Sequence, residues 1–140
     1  MLNVKQNYKR LAPGNIQDYQ VGVFAFTKHR KLVLITSKKA ESWILPKGNP
    51  EKTRSDREQA REEAFEEAGL EGTVNWKYYE FDVHGKVKKL RIFPMKVENL
   101  LDDYPEKNQR KRILIPFDKA EKIATKEMSG IIRKLRKENF

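Results

Sequence analysis

The chain has 140 residues, with 30 Lys and Arg against 20 Asp and Glu, and a formal net charge of +10. That length suits one compact domain with a hydrophobic core, and the charge draws polyanions such as nucleic acid, phospholipid surfaces or highly phosphorylated small molecules. The lack of cysteine excludes disulfides, zinc–thiolate sites and thiol nucleophiles, and two histidines, His29 and His84, are too few for a histidine-rich metal site.

Residues 1–19 are mixed and polar, with Pro13-Gly14 marking a turn. The N-terminal Met1–Gln6 has no apolar run of signal-peptide length. No later stretch approaches the roughly 20 apolar residues that span a bilayer. The expectation is therefore a single domain over 1–140, cytoplasmic and without a membrane partner. Val21–Phe26 and Lys31–Thr36 are apolar runs of strand length, and the polar Thr27–Arg30 between them reads as a hairpin connection. Trp43-Ile44-Leu45 is a third apolar piece, stopped by Pro46. Residues 46–54 read as loop, because Pro46, Gly48 and Pro50 oppose regular structure.

A helix follows with a clear start. Ser55 and Glu58 match a capping box, and the helix is expected over Asp56–Ala68 with Gly69 as its stop. Strand-like runs at Thr73–Val83 and Lys88–Val97 are separated by a turn at His84-Gly85-Lys86. Asn99–Arg112 reads as loop and Ile113–Pro116 as a short apolar piece. From Phe117 onward the pattern is helical: Ala120, Ile123 and Ala124, then Met128, Ile131, Ile132 and Leu135. Strands, helix, strands and helix in that order point to a mixed α/β domain.

The central helix carries the chemistry. At about 100° per residue, Glu63, Glu66 and Glu67 fall within an arc of roughly 100°. Ala60, Ala64, Ala68 and Phe65 are expected on the other side, packed inward. Carboxylates crowded at such spacing repel one another by a few tenths of a kcal/mol per pair. A hard divalent cation such as Mg2+ removes that repulsion, and it also binds phosphate oxygens and activates water.

The surrounding spacing sharpens this. Gly48 lies 15 residues before Glu63, and the segment resembles the Nudix box, G-x5-E-x7-R-E-U-x-E-E-x-G-U with U a bulky aliphatic residue. Gly48, Glu63, Glu66, Glu67, Gly69 and Leu70 match in register, Ala64 fills a U position, and Trp43–Gly48 resembles the segment leading into the box. Two positions depart: Arg54 stands where the pattern has Glu, and Glu62 where it has the Arg that orients the metal-binding glutamates. Glu51 is a candidate replacement carboxylate. The resemblance implies a Nudix fold, a mixed sheet sandwiched between helices. It also implies a Mg2+ site (Mn2+ as an alternative) held by Glu63, Glu66, Glu67 and Gly48, and a hydrolase acting on phosphoanhydrides, with Glu66 or Glu67 as catalytic base.

Over nearly its whole length the chain is similar to the diphosphoinositol polyphosphate and diadenosine polyphosphate branch of that family. Residues 32–37, Gly85–Arg91 and the Asp103–Glu106, Arg110–Arg112 and Pro116–Ala120 segments carry this, with Tyr104 where Trp is usual. Basic residues cluster on the same segments. Lys38, Lys39, Lys89, Arg91, Arg110 and Arg112, together with Lys47 beside the metal loop, are the expected substrate-binding cations. The expected partner is a polyphosphorylated small molecule, with the protein a monomer or homodimer. The alternatives are a nucleoside diphosphate sugar or nucleoside triphosphate pyrophosphatase of the same fold, or an impaired Nudix-like domain that binds phosphate or RNA. The basic, amphipathic Ile131–Lys137 is expected to pack on the core rather than to bind nucleic acid. His29 and His84 are expected to be exposed, and Trp43 and Trp76 to anchor packing.

Overall fold

The computed structural model describes the backbone of residues 3–6 and all of residues 18–39 and 41–140. The expected turn at Pro13-Gly14 lies outside these residues. Among the described residues nine strands form one sheet: β1 (Asn3–Gln6), β2 (Tyr19–Phe26), β3 (Lys31–Thr36), β4 (Trp43–Ile44), β5 (Lys47–Gly48), β6 (Leu70–Val74), β7 (Lys77–Asp82), β8 (Lys89–Leu100) and β9 (Arg112–Pro116). The helices are α1 (Asp56–Ala68), α2 (Phe117–Ile123) and α3 (Lys126–Leu135).

The main path of the sheet runs β1-β7-β8-β2-β3-β4, with β5 on β2, β6 on β8 and β9 on β3. At its centre β2 and β8 pair in parallel from Tyr19 opposite Lys89 to Phe26 opposite Lys96, and the other pairings are antiparallel. Alternation along β2 and β3 divides the core. Val21, Val23, Ala25, Val33 and Ile35 point to one face, where Ala60, Ala64 and Ala68 of α1 cover them. Phe24, Leu32 and Leu34 point to the other, under Phe117, Ala120, Met128, Ile131, Ile132 and Leu135 of α2 and α3. The mixed sheet thus lies between helices, as expected.

Several boundaries differ from the sequence reading, each for a local reason. The run expected over Thr73–Val83 is two strands, because the chain turns at Asn75-Trp76, where Asn75 N–H donates to the Pro94 carbonyl at 2.9 Å. The C-terminal helix is also two. Thr125 interrupts it and caps α3, its hydroxyl accepting from the Met128 amide. The segment at 3–6 forms an edge strand, its backbone pairing with β7. Within the expected loop, Lys47-Gly48 pairs with β2 at Val21 and Gly22. A Cβ on Gly22 would stand 2.4 Å from the Pro46 carbonyl oxygen, so glycine is what lets the loop lie this close.

Helix α1 has the expected bounds. Ser55 Oγ accepts from the Glu58 amide at 3.1 Å and Glu58 Oε1 accepts from the Ser55 amide at 3.0 Å. Gly69 closes the helix at φ 64°, with the Tyr104 ring where a side chain would stand. The N-terminal turn is tied to the sheet by buried polar groups. Asp56 accepts from the Tyr19 hydroxyl and from Arg91 Nη1, each at 2.9 Å. Arg91 Nε donates to Glu80 at 2.9 Å, and its guanidinium lies 4.0 Å over the Tyr19 ring.

Candidate active site

Three chain segments meet beside the glutamates. The first is the β5 loop at Pro46–Gly48, the second is the C-terminal half of α1, and the third is the loop 101–111 between β8 and β9. The last hangs from the end of the helix: Leu101 N–H donates to the Gly69 carbonyl at 2.8 Å, and Glu106 N–H to the Glu66 carbonyl at 2.9 Å. Both bonds satisfy helix-end carbonyls that would otherwise lack a partner.

The carboxylates do not sit opposite the apolar face. Glu67 is 6% exposed and joins the alanine stripe, whereas Phe65 is half-exposed. The geometry explains this: Ala60 and Glu67 are seven residues apart, which brings them within about 20° on a helix, while Phe65 falls outside the stripe. The buried face of α1 therefore includes Asp56, Gln59 and Glu67 as well as alanines.

Each oxygen of Glu67 has a donor. The Lys47 amide gives a hydrogen bond to Oε1 at 3.0 Å, and Arg110 Nη2 gives one to Oε2 at 3.2 Å. Burial pushes the Glu67 pKa up to about 7, with Arg110 and the Lys47 amide pulling it down. Glu63 takes a 2.7 Å hydrogen bond from Gln59 Nε2, and Gln59 is held in turn by Arg54 Nη1 at 3.1 Å. Burial raises the Glu63 pKa, while hydrogen bonds from Gln59 and with Glu67 oppose the rise. Glu66 is also raised, first by burial and then by the charges of Glu63 and Glu62. Gly48 lies against this cluster: a Cβ there would meet the Glu63 carboxylate at 2.2–2.4 Å.

Among the described residues, no three His, Cys, Asp or Glu side chains are gathered tightly enough to hold an ion as they stand. The donor set nevertheless suits a hard cation. It is all oxygen, its carboxyls share one helix, and each has its proton affinity raised by burial or by its neighbours. A cation would supply the charge that burial denies them, drawing the side chains inward.

The expected substrate cations separate into two groups. Lys38 and Lys39 are exposed beyond β3. Lys38 lies 3.8 Å from Glu106, and with Lys111 and Arg110 it lines a polar groove of about 200 Å3. Lys47 is half-buried beside the carboxylates. Its Nζ donates to Gln20 at 3.0 Å, and burial lowers its pKa. The remaining expected cations are committed within the protein. Arg91 is the buried tie to Asp56 and Glu80 described above. Arg112 Nη1 donates to the Ala68 and Leu101 carbonyls at 2.9 and 2.8 Å, with its guanidinium 5.0 Å over Tyr104. It holds the end of α1 to the loop rather than facing solvent. Lys89 pairs with Asp82 across the β7–β8 hairpin. Arg110 has a side chain 10% exposed and binds Glu67, Glu106 and the Thr36 carbonyl.

Glu106 was not singled out from the sequence as a site residue. Its backbone rests on Glu66, and Oε1 accepts from Arg110 Nε at 2.8 Å. No local pattern marks it, because its place depends on how the loop meets the helix. Glu51, the candidate replacement carboxylate, is exposed. His29 and His84 are exposed as expected. Trp43 packs at the edge of the core, but Trp76 is 72% exposed with Arg57 stacked 4.0 Å over its ring, so it anchors nothing inside.

Comparison with known proteins finds likeness in sequence and in fold. The chain is 34% identical over 94 residues to the Arabidopsis thaliana protein named Nudix hydrolase 18, mitochondrial, covering 64% of this chain and 53% of that protein. It spans about half the length of the curated relatives it matches. In structure it is similar to the C. elegans Ap4A hydrolase of a binary complex, with TM-score 0.68, 20% identity, and 83% and 94% of the two chains covered. It is also similar to MutT, described from Aliivibrio salmonicida and Vibrio cholerae, with TM-score 0.63, 12% identity, and 86% and 97% covered. At these identities the structural likeness is one of fold. No protein-family model matches the chain.

Proposed function

On its likeness to proteins named Nudix hydrolase, we propose that the chain is a Nudix hydrolase and that it hydrolyses a phosphoanhydride bond in a small, highly phosphorylated substrate of the diadenosine polyphosphate or diphosphoinositol polyphosphate type. The observation that carries this reading is the cluster of Glu63, Glu66 and buried Glu67 on α1, packed against Gly48. Those three carboxylates, with the Gly48 backbone, would hold a divalent cation, Mg2+ or Mn2+. When bound, such an ion stabilises negative charge on phosphoryl oxygens and makes water a stronger acid.

The chain's own groups do the rest. Gln59 and Arg110 hold the Glu63 and Glu67 side chains by hydrogen bonds and so limit the rotamers from which they would close on an ion. Glu67 and Glu66, both with raised proton affinity, are the groups suited to take the proton of the attacking water. Lys38 and Lys111 line the polar groove beside Arg110, where several phosphates would meet fixed positive charge, and Lys39 is exposed next to Lys38 in the chain. Lys47, beside Glu67, would touch the phosphates nearest the bond that breaks.

Two departures favour a second reading, a domain that binds phosphate or RNA with impaired catalysis. These are the reversed charges at Arg54 and Glu62, and the absence among the described residues of a ready-made ion cluster. One assay separates the two. Purified protein is given diadenosine tetraphosphate, a diphosphoinositol, a nucleoside diphosphate sugar and a nucleoside triphosphate, with and without EDTA. Mg2+-dependent turnover of the first two, lost in Glu66→Gln, is the expected result. Turnover that survives both EDTA and the substitution overturns the mechanism. Preference for the nucleotide sugar or the triphosphate overturns the substrate class.

A further inference from the structure

We propose that Arg110 is the positioning residue of the carboxylate cluster: from the loop before β9 it fixes Glu67 and Glu106 for ion binding, a task that no cation on the glutamate face of α1 performs. The inference rests on the reading of this cluster as an ion site. On the helix itself, the residue beside Glu63 is Glu62, another anion, which adds to the repulsion on Glu66. A cationic contact to a Glu67 oxygen comes instead from across the chain, from Arg110 at 3.2 Å.

The geometry is that of a three-way clamp. Nη2 goes to Glu67 Oε2, Nε to Glu106 Oε1 at 2.8 Å, and Nη1 to the Thr36 carbonyl at 3.0 Å. Those partners lie on α1, on the 101–111 loop and at the end of β3. A planar guanidinium meets all three at once because its donors are fixed in a fork; an ammonium at the same place is a point charge without that fork. The side chain is 10% exposed, so solvent does little to replace the contacts if they are lost. The two carboxylates it separates are like charges that would otherwise push apart.

The proposal makes a prediction opposite to that of simple electrostatics. A buried cation beside an ion site repels the incoming ion, so if charge alone mattered, removing Arg110 would tighten ion binding. If Arg110 fixes the ligands, removing it weakens binding, since groups that orient metal ligands are worth about 10–100-fold in affinity.

The test titrates Mn2+ into wild type, Arg110→Met and Arg110→Lys, and follows binding by calorimetry and by the electron paramagnetic resonance signal of free Mn2+. Circular dichroism checks that each variant is folded. The expected result is binding weakened about 10–100-fold in Arg110→Met, and weakened also in Arg110→Lys, which keeps the charge but loses the fork. Binding unchanged or tightened in Arg110→Met overturns the proposal. Should that variant fail to fold, Arg110→Lys decides: wild-type affinity there overturns it equally. Wild-type protein that binds no Mn2+ overturns the ion-site reading itself, an outcome distinct from a wild type that binds alongside variants that bind as well.

Discussion

Glu67 shows how one side chain carries both a structural liability and a chemical use. A carboxylate this buried is costly unless partnered, and its two hydrogen bonds offset only part of that, leaving its pKa at about 7 against an ordinary 4.5. A carboxyl whose folded-state pKa lies above its unfolded value favours the fold most below the unfolded value, and that contribution disappears as pH rises through the folded one. The metal-free protein is therefore expected to lose stability between about pH 4.5 and 7, by an amount on the order of 2 kcal/mol. Thermal melts in EDTA across this range check it, and Glu67→Gln should flatten the dependence. Gly48 is the counterpart with no side chain at all. Gly48→Ala is expected to displace the Glu63 carboxylate and to lower Mn2+ affinity, measured by calorimetry, with the fold retained.

At the scale of the element, α1 was legible in the sequence to the residue because its signals are local. Ser55, Glu58 and Gly69 declare its ends through contacts within a turn. Ser55→Ala removes one half of the reciprocal cap and is expected to lower stability by about 1 kcal/mol. Gly69→Ala is expected to be worse, by about 1–3 kcal/mol, because it adds a left-handed backbone penalty to a collision with Tyr104. Urea titrations measure both. The face of the helix was harder to read. Composition suggested an apolar side and an acidic side, yet spacing places Glu67 within the alanine stripe, and only the packing of β5 against α1 shows why an acid is tolerated there. Likewise Arg91, Arg110 and Arg112 look alike in sequence, three cations among many. Their partners at Asp56, Glu67 and Ala68 lie more than 30 residues away, and nothing local distinguishes a tie from a ligand contact.

At the scale of the molecule, the site is a meeting place of segments that the sheet brings together. The pairing of β5 with β2, the close approach at Gly22 and the stitching of the 101–111 loop to α1 by Arg112 are all needed before Glu63, Glu67 and Glu106 become neighbours. Ion binding should therefore be linked to global stability. Mg2+ or Mn2+ at about 100 times its dissociation constant is expected to stabilise the protein by about 2.7 kcal/mol, raising the melting temperature of wild type but not of Glu63→Gln. No helix among the described residues is long and apolar enough to cross a membrane.

The parallel pairing of β2 with β8 has a kinetic corollary. Tyr19 and Lys89 are joined only after the whole intervening chain, helix and hairpins included, has looped back. Closing such a long loop is entropically slow, and topologies rich in distant contacts fold in milliseconds to seconds rather than microseconds. The β2–β3 hairpin and α1 can organise early from nearby residues. The central seam, and with it the acidic cradle between β5 and the 101–111 loop, is then expected to be among the last parts of the molecule to take shape during refolding, which pulsed hydrogen exchange checks.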